Sequence, residues 1–236
     1  MSLTDAHTPR LFLIRHGETT WSQTGRYTGV TDLPLLPEGE SRVSSTARTL
    51  YGPGKLIDPA KLSKVLISPR LRAQRTWALY DAVSPRTESR SPVIETTDRI
   101  AEWGYGDYEG LVTSEIRELR RSHGHDQVSP WDIWRDGTEG PGGELPESVS
   151  MRVDSLIEEI TALQSKAMSD RSPGDVVVVA HGHILRAFVK RWLRLPLEST
   201  MNLMLEPGGV CGLSYSHGKI EERAVLVGMS FPDVRK

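Results

Sequence analysis

Three short apolar runs, each broken off by a polar motif of similar character, limit the folds open to this chain. Residues 11–14 stop at Arg15-His16-Gly17, residues 65–67 stop at Ser68-Pro69-Arg70-Leu71-Arg72, and residues 176–180 stop at His181-Gly182-His183. Runs this short and apolar at every position read as strands covered on both faces, as in the interior of a parallel sheet. Helical patterns fill the intervals. One over 37–50 opens on Pro37 and ends before Gly52-Pro53-Gly54, and another over 70–82 follows the second run. A third over 147–168 places Val149, Val153, Leu156, Ile157, Ile160 and Leu163 near helical period, and a fourth over 184–193 follows His183 directly. Residues 210–215 and 224–227, either side of Ser216-His217-Gly218-Lys219, read as late strands. The alternation predicts an α/β chain: a three-layer α/β/α sandwich around a mostly parallel central sheet.

A length of 236 residues suits one domain, expected over 10–236 after a flexible N-terminal tail over 1–9. The irregular stretches 19–36 and 98–146 are rich in Gly, Pro and Trp. In open α/β sheets ligands sit outside the carboxyl ends of the strands, where such loops gather. The second stretch is expected to form a cap-like insertion carrying a short helix over 114–121. A formal net charge of −2 gives no global positive field for nucleic acid or an acidic membrane, so neither is expected as a partner. One cysteine, Cys211, allows no intrachain disulfide, and the polar start of the chain lacks an apolar leader. A cytoplasmic protein is expected, and the apolar run 176–180 is far too short to cross a bilayer.

If the three strands are parallel neighbours, their polar ends meet at one edge of the sheet. Arg15, Arg72, His16 and His181 would then share a small concave site. Such a cluster of positive charge calls for an anion, and the planar arginine fork suits phosphate oxygens. A histidine there can attack phosphorus through one ring nitrogen if the other is held as a donor. Arginines and a histidine can neutralise the equatorial oxygens without a metal or cofactor. The leaving oxygen needs a proton, and Glu102, Asp107 and Glu109 are all candidate donors that spacing does not separate. Competing readings exist. His181 and His183 could ligate a metal, but metal sites usually need carboxylate or cysteine partners, and arginines next to His16 disfavour a cation. His123-Gly124-His125 and His217-Gly218 repeat the dipeptide without a preceding apolar run and read as loop residues. Arg70 and Arg75 read as candidates for a solvated helix face, and Cys211 as a small buried hydrophobe.

Leu13-Ile14-Arg15-His16-Gly17-Glu18-Thr19 resembles the signature of the histidine phosphatase superfamily, in its phosphoglycerate-mutase-like branch. Tyr27-Thr28-Gly29, Asp32-Leu33-Pro34-Leu35, Ser68 through Thr76, Glu102 through Gly110, Ala180-His181-Gly182-His183 and Pro207 through Tyr215 fit the same pattern in order, over about residues 10–229. The resemblance implies His16 as the phosphorylated nucleophile, Arg15, Arg72 and His181 as phosphoryl ligands, and Glu102 as proton donor. It implies that Tyr27, Thr28, Gly29, Tyr105, Gly182 and His183 border the substrate. Mutases of this branch carry a lysine where this chain has Thr113, which favours hydrolysis over transfer to a second substrate. Phosphoglycerate mutase activity, broad-specificity phosphatase activity and a non-enzymatic phospho-ligand-binding role are the alternatives. Pro130-Trp131-Asp132-Ile133-Trp134-Arg135-Asp136-Gly137, with the other motifs, is similar to the fungal sedoheptulose-1,7-bisphosphatases. That likeness implies a small sugar bisphosphate as substrate, with Trp131 walling the site and Arg135 meeting a distal phosphate.

Overall fold

The protein is described by a computed structural model over residues 8–83 and 91–228. Its strands are β1 (Leu11–Arg15), β2 (Leu62–Ile67), β3 (Val93–Thr96), β4 (Asp175–Ala180), β5 (Val210–Tyr215) and β6 (Arg223–Val225). Its helices are α1 (Thr20–Thr24), α2 (Pro37–Leu50), α3 (Leu71–Val83), α4 (Thr113–Ser122), α5 (Ile133–Asp136), α6 (Pro146–Asp170) and α7 (Gly182–Trp192). The sheet runs β3-β2-β4-β1-β5-β6. The first four strands pair in parallel, and β5 and β6 continue the sheet antiparallel. The expected sandwich is therefore present, with an antiparallel margin.

The two faces of the sheet are sorted by the alternation of side chains along each strand. Leu11, Leu13, Leu66, Val176 and Val178 face α6, α7 and the apolar side chains of the 98–146 stretch. Phe12, Ile14, Val65, Ile67, Val177 and Val179 face α2 and α3. Val176 to Val179 are fully buried, because both neighbouring strands and both helical layers cover β4. Each such side chain stabilises the fold by about 1.5–3 kcal/mol relative to exposure. Pro37 stands at the first position of α2, with Glu38 and Glu40 in its first turn and Arg48 in its last, each matched to the helix dipole. The start of α2 crosses the loop after β1 so closely that a Cβ on Gly39 would lie 2.6 Å from the Glu18 carbonyl oxygen. Glycine there lets the loop that follows His16 rest directly on α2.

Of the tail expected over 1–9, residues 1–7 lie outside the described residues. Pro9 is buried, and its carbonyl accepts from Ser214 Oγ at 3.0 Å. Arg10 pairs with the buried Asp175 at 2.7 Å. The sequence gives little warning of β3, a four-residue edge strand with half-exposed side chains. Among the described residues no helix is long and apolar enough to cross a membrane.

Candidate active site

Ladder bonds bring the three strand ends into register. The His16 amide donates to the Ala180 carbonyl at 2.9 Å, and the Ser68 amide donates to the Val179 carbonyl at 3.0 Å. Beyond these ends lies a cleft of about 330 Å³, walled by Arg15, His16, Tyr27, Thr28, Glu102, Tyr105, Thr113, Gly182, His183 and Arg186. The stretch 98–146 supplies Glu102, Tyr105 and Thr113 to this wall.

His16 is 5% exposed, and its Nδ1 lies 2.7 Å from the Gly17 carbonyl oxygen. A carbonyl only accepts, so Nδ1 carries the hydrogen and Nε2 keeps its lone pair. Burial first, and then the positive charge of Arg72, pushes the imidazole down to about 3, so the ring is neutral at physiological pH. The His181 ring lies 5.1 Å from that of His16. Arg72 Nε donates to His181 Nδ1 at 3.1 Å, and His181 Nε2 faces Ser68 Oγ at 2.6 Å. An arginine donates only, so His181 carries its hydrogen on Nε2. Burial also holds it well below its ordinary pKa.

Arg15 reaches the Leu205 carbonyl through one terminal nitrogen at 2.9 Å. Its buried Nε has no hydrogen-bond partner among the described residues. Such an orphaned donor costs about 1–3 kcal/mol until something accepts from it, and an anion in the cleft would do so. Burial lowers the Arg15 pKa, opposed by the negative charge of Glu102. Arg72 stands behind this front. It is fully buried, and it donates to the carbonyls of Thr31 (3.0 Å), Thr28 (2.7 Å) and Gly29 (3.2 Å) as well as to His181. It contributes charge and orientation to the site, while its donors hold the 28–31 loop.

The three carboxylates that spacing left unresolved have different surroundings. Glu102 is buried at the cleft and accepts from the amides of Trp103 (2.9 Å), His183 (3.0 Å) and Ile184 (2.8 Å). It thus caps α7 from another part of the chain, supplying the acceptor that His181 does not. Glu109 is engaged by the amides of Gly29 and Thr31. Asp107 is exposed and lies outside the cleft wall. Gly29 does not line the cleft either; a Cβ there would fall 2.8 Å from the Trp103 carbonyl oxygen, so its glycine serves a close approach of two loops.

Tyr27 stacks on His183 at 5.1 Å, and the Tyr105 hydroxyl meets His183 Nδ1 at 2.8 Å. The Tyr27 hydroxyl meets Thr113 Oγ1 at 3.1 Å. His181 and His183 therefore face different partners, and no cluster of three or more His, Cys, Asp or Glu side chains among the described residues could hold a metal ion. A second cavity of about 400 Å³ adjoins the first and shares Tyr27, Thr113, His183 and Arg186 with it. Trp131 lines this cavity; Arg135 lines neither. Arg135 is exposed and turned onto its neighbour Asp136 (2.7 Å) and the Pro130 carbonyl (3.0 Å). A carboxylate one residue away captures the guanidinium before it can face the cavity.

Arg186 was not singled out by sequence reasoning. It sits one turn into α7, its Nε on the Gly182 carbonyl at 3.0 Å and its guanidinium over Trp134. Its spacing of three after His183 was the available signal. Arg120 is buried against Asp126, Tyr108 and Glu139, away from the cleft. His123, His125 and His217 are exposed loop or turn residues.

A sequence model of the histidine phosphatase superfamily (branch 1) matches residues 11–226. The chain is 36% identical to a sedoheptulose 1,7-bisphosphatase of Saccharomyces cerevisiae, over 92% of each chain. It is 37% identical to an acid phosphatase of Mycobacterium tuberculosis, over 92% of this chain and 91% of that one. A solved structure of a Mycobacterium tuberculosis open reading frame superposes with a TM-score of 0.70 at 33% identity, covering 93% of this chain and 96% of the other. The chain belongs to the histidine phosphatase superfamily and is a phosphatase that hydrolyses phosphate esters.

Proposed function

We propose that the protein hydrolyses a small sugar bisphosphate through a phosphohistidine on His16, with sedoheptulose 1,7-bisphosphate the foremost candidate. The observation that carries the mechanism is the locked imidazole: Nδ1–H on the Gly17 carbonyl, Nε2 bare, ring neutral. Nε2 forms a bond to phosphorus as the phosphorus–oxygen bond to the sugar breaks. The sugar oxygen takes a proton from the Glu102 carboxyl. Water then gives a proton back to Glu102 while its oxygen attacks phosphorus and the nitrogen–phosphorus bond breaks. Arg15 meets the oxygens whose charge grows in transfer, and behind it Arg72 adds positive charge and His181, its Nε2–H on Ser68 Oγ, adds a buried dipole.

The second cavity supports a bisphosphate. Arg117, Arg186 and Lys190 line it, and none of the three is in an ion pair among the described residues. Arg117 donates to the Trp131 carbonyl, and Lys190 donates to the Leu197 carbonyl from above the Trp134 ring. Asp132 and the exposed Glu198 share the wall, leaving a net positive subsite at the far end of a sugar held at His16. The likeness to the yeast sedoheptulose 1,7-bisphosphatase supports the same substrate class. Thr113, bonded to Tyr27 where a mutase would carry lysine, supports water over a second substrate as acceptor.

A steady-state screen without added metal tests this reading, using sugar bisphosphates, sugar monophosphates, phosphoglycerates and phosphotyrosine peptides. The expected result is a higher kcat/KM for bisphosphates than for matching monophosphates, narrowed by Arg186→Ala. Turnover confined to phosphoglycerates or to phosphopeptides would overturn the substrate.

A further inference from the structure

Glu102 lies in a stretch without regular secondary structure, so ladder bonds do not fix it. Side chains do. Arg152 projects from α6, outside the walls of both cavities, and donates to the carbonyls of Arg99 (3.1 Å), Ala101 (2.9 Å) and Glu102 (3.4 Å). The same guanidinium forks onto Glu144, with Nε at 2.8 Å from one oxygen and a terminal nitrogen at 2.9 Å from the other. Glu144 Oε2 in turn accepts the Gly104 amide at 2.7 Å, and Thr138 Oγ1 donates to the Gly104 carbonyl at 2.6 Å. The backbone is thus held before, at and after Glu102.

We infer that Arg152, paired with Glu144, is a positioning residue for proton transfer: it clamps the backbone around Glu102 so that the carboxyl stays on the α7 amides and in reach of the leaving oxygen. The inference rests on reading Glu102 as the proton donor. Only a guanidinium can serve three carbonyls and a carboxylate from one plane, since an ammonium group lacks the fork. Arg152 and Glu144 side chains are only 17% and 24% exposed, so the pair is shielded from water. A displacement of ~1 Å in a reacting group can lower turnover by roughly 100-fold.

The leaving group separates positioning from general support of the fold. A sugar alkoxide needs a proton as it departs, whereas 2,4-dinitrophenolate does not. The ratio kcat/KM ends at transfer to His16, so the later water step does not enter it. Arg152→Gln is expected to lower kcat/KM on the sugar phosphate by roughly 10- to 100-fold while changing it on 2,4-dinitrophenyl phosphate by no more than about twofold. Arg152→Lys should fall in between. Glu102→Gln should show the same selectivity with a larger loss. If Arg152→Gln costs both substrates equally while Glu102→Gln stays selective, the clamp is overturned. If Glu102→Gln is itself unselective, the donor assignment beneath it fails instead. Should Arg152→Gln not fold, Glu144→Gln is read in its place: a selective loss supports the clamp, and an equal loss on both substrates sinks it.

Discussion

The two adjoining cavities are built on opposite principles. In the first, the His16, His181 and Glu102 side chains are each held by protein partners that fix a tautomer or an orientation. In the second, Arg117 and Lys190 rest on backbone carbonyls, and Arg186 and Lys190 lie against an indole face, with no carboxylate paired to them among the described residues. Preorganised dipoles suit a transition state, because no reorganisation is needed when charge moves. Cations resting on carbonyls and indole faces suit recognition, because a ligand's distal charge meets no ion pair that it must first break. On the proposed function, the contrast places chemistry in one chamber and selectivity in the other.

Changes in the first cavity should then act on kcat and changes in the second on KM. His16→Ala should lower kcat by roughly 10⁴-fold or more. It should also abolish the acid-labile phosphoryl label that the wild type shows in rapid-quench experiments, and a retained label would move the nucleophile elsewhere. Glu102→Gln should lower kcat on a sugar phosphate by roughly 10²- to 10⁴-fold with little change in KM. In the second cavity, Arg117→Ala and Lys190→Met should each raise KM for a bisphosphate roughly tenfold, the scale of one charge-assisted hydrogen bond. Neither should alter kcat or the kinetics of a monophosphate. A fall in kcat from either variant would erase the division between the chambers.

The smallest effect is on stability. His16 has a folded pKa of about 3, below its ordinary value of 6.5. As pH falls through 6.5, the unfolded chain binds a proton that the folded state refuses. The stability this group contributes is fully present above that pH and is lost progressively toward pH 3. At pH 5.5 the loss is on the order of 1 kcal/mol for this one group. Urea unfolding at pH 7.5 and 5.5 should show a smaller spread for His16→Asn than for the wild type by about that amount.

The meeting of Arg15, His16, Ser68 and His181 was legible because burial on both faces leaves an unmistakable apolar run, and β1, β2 and β4 end at the same level of the sheet. β3 was not, since an exposed edge strand needs no such run. Among Glu102, Asp107 and Glu109 the residues alone gave no order, because side-chain direction in an irregular stretch follows from tertiary bonds, and the resemblance supplied the choice. Arg186 and Lys190 look like any cations on an amphipathic helix; only the packing of α7 against the 131–134 segment turns them toward a cavity. Arg135 was attractive for its type, and its neighbour Asp136 redirected it.

Glu102 caps α7 while standing at the cleft, so on the proposed function the location of the transferred proton is written into the first turn of that helix. When Glu102 is ionised, the amides of His183 and Ile184 donate to a full negative charge at the positive end of a helix dipole. When it is protonated, those two amides lose much of that attraction. On the proposed function, the nitrogen shifts of those two amides therefore differ between the two protonation states, making them native reporters that need no added probe.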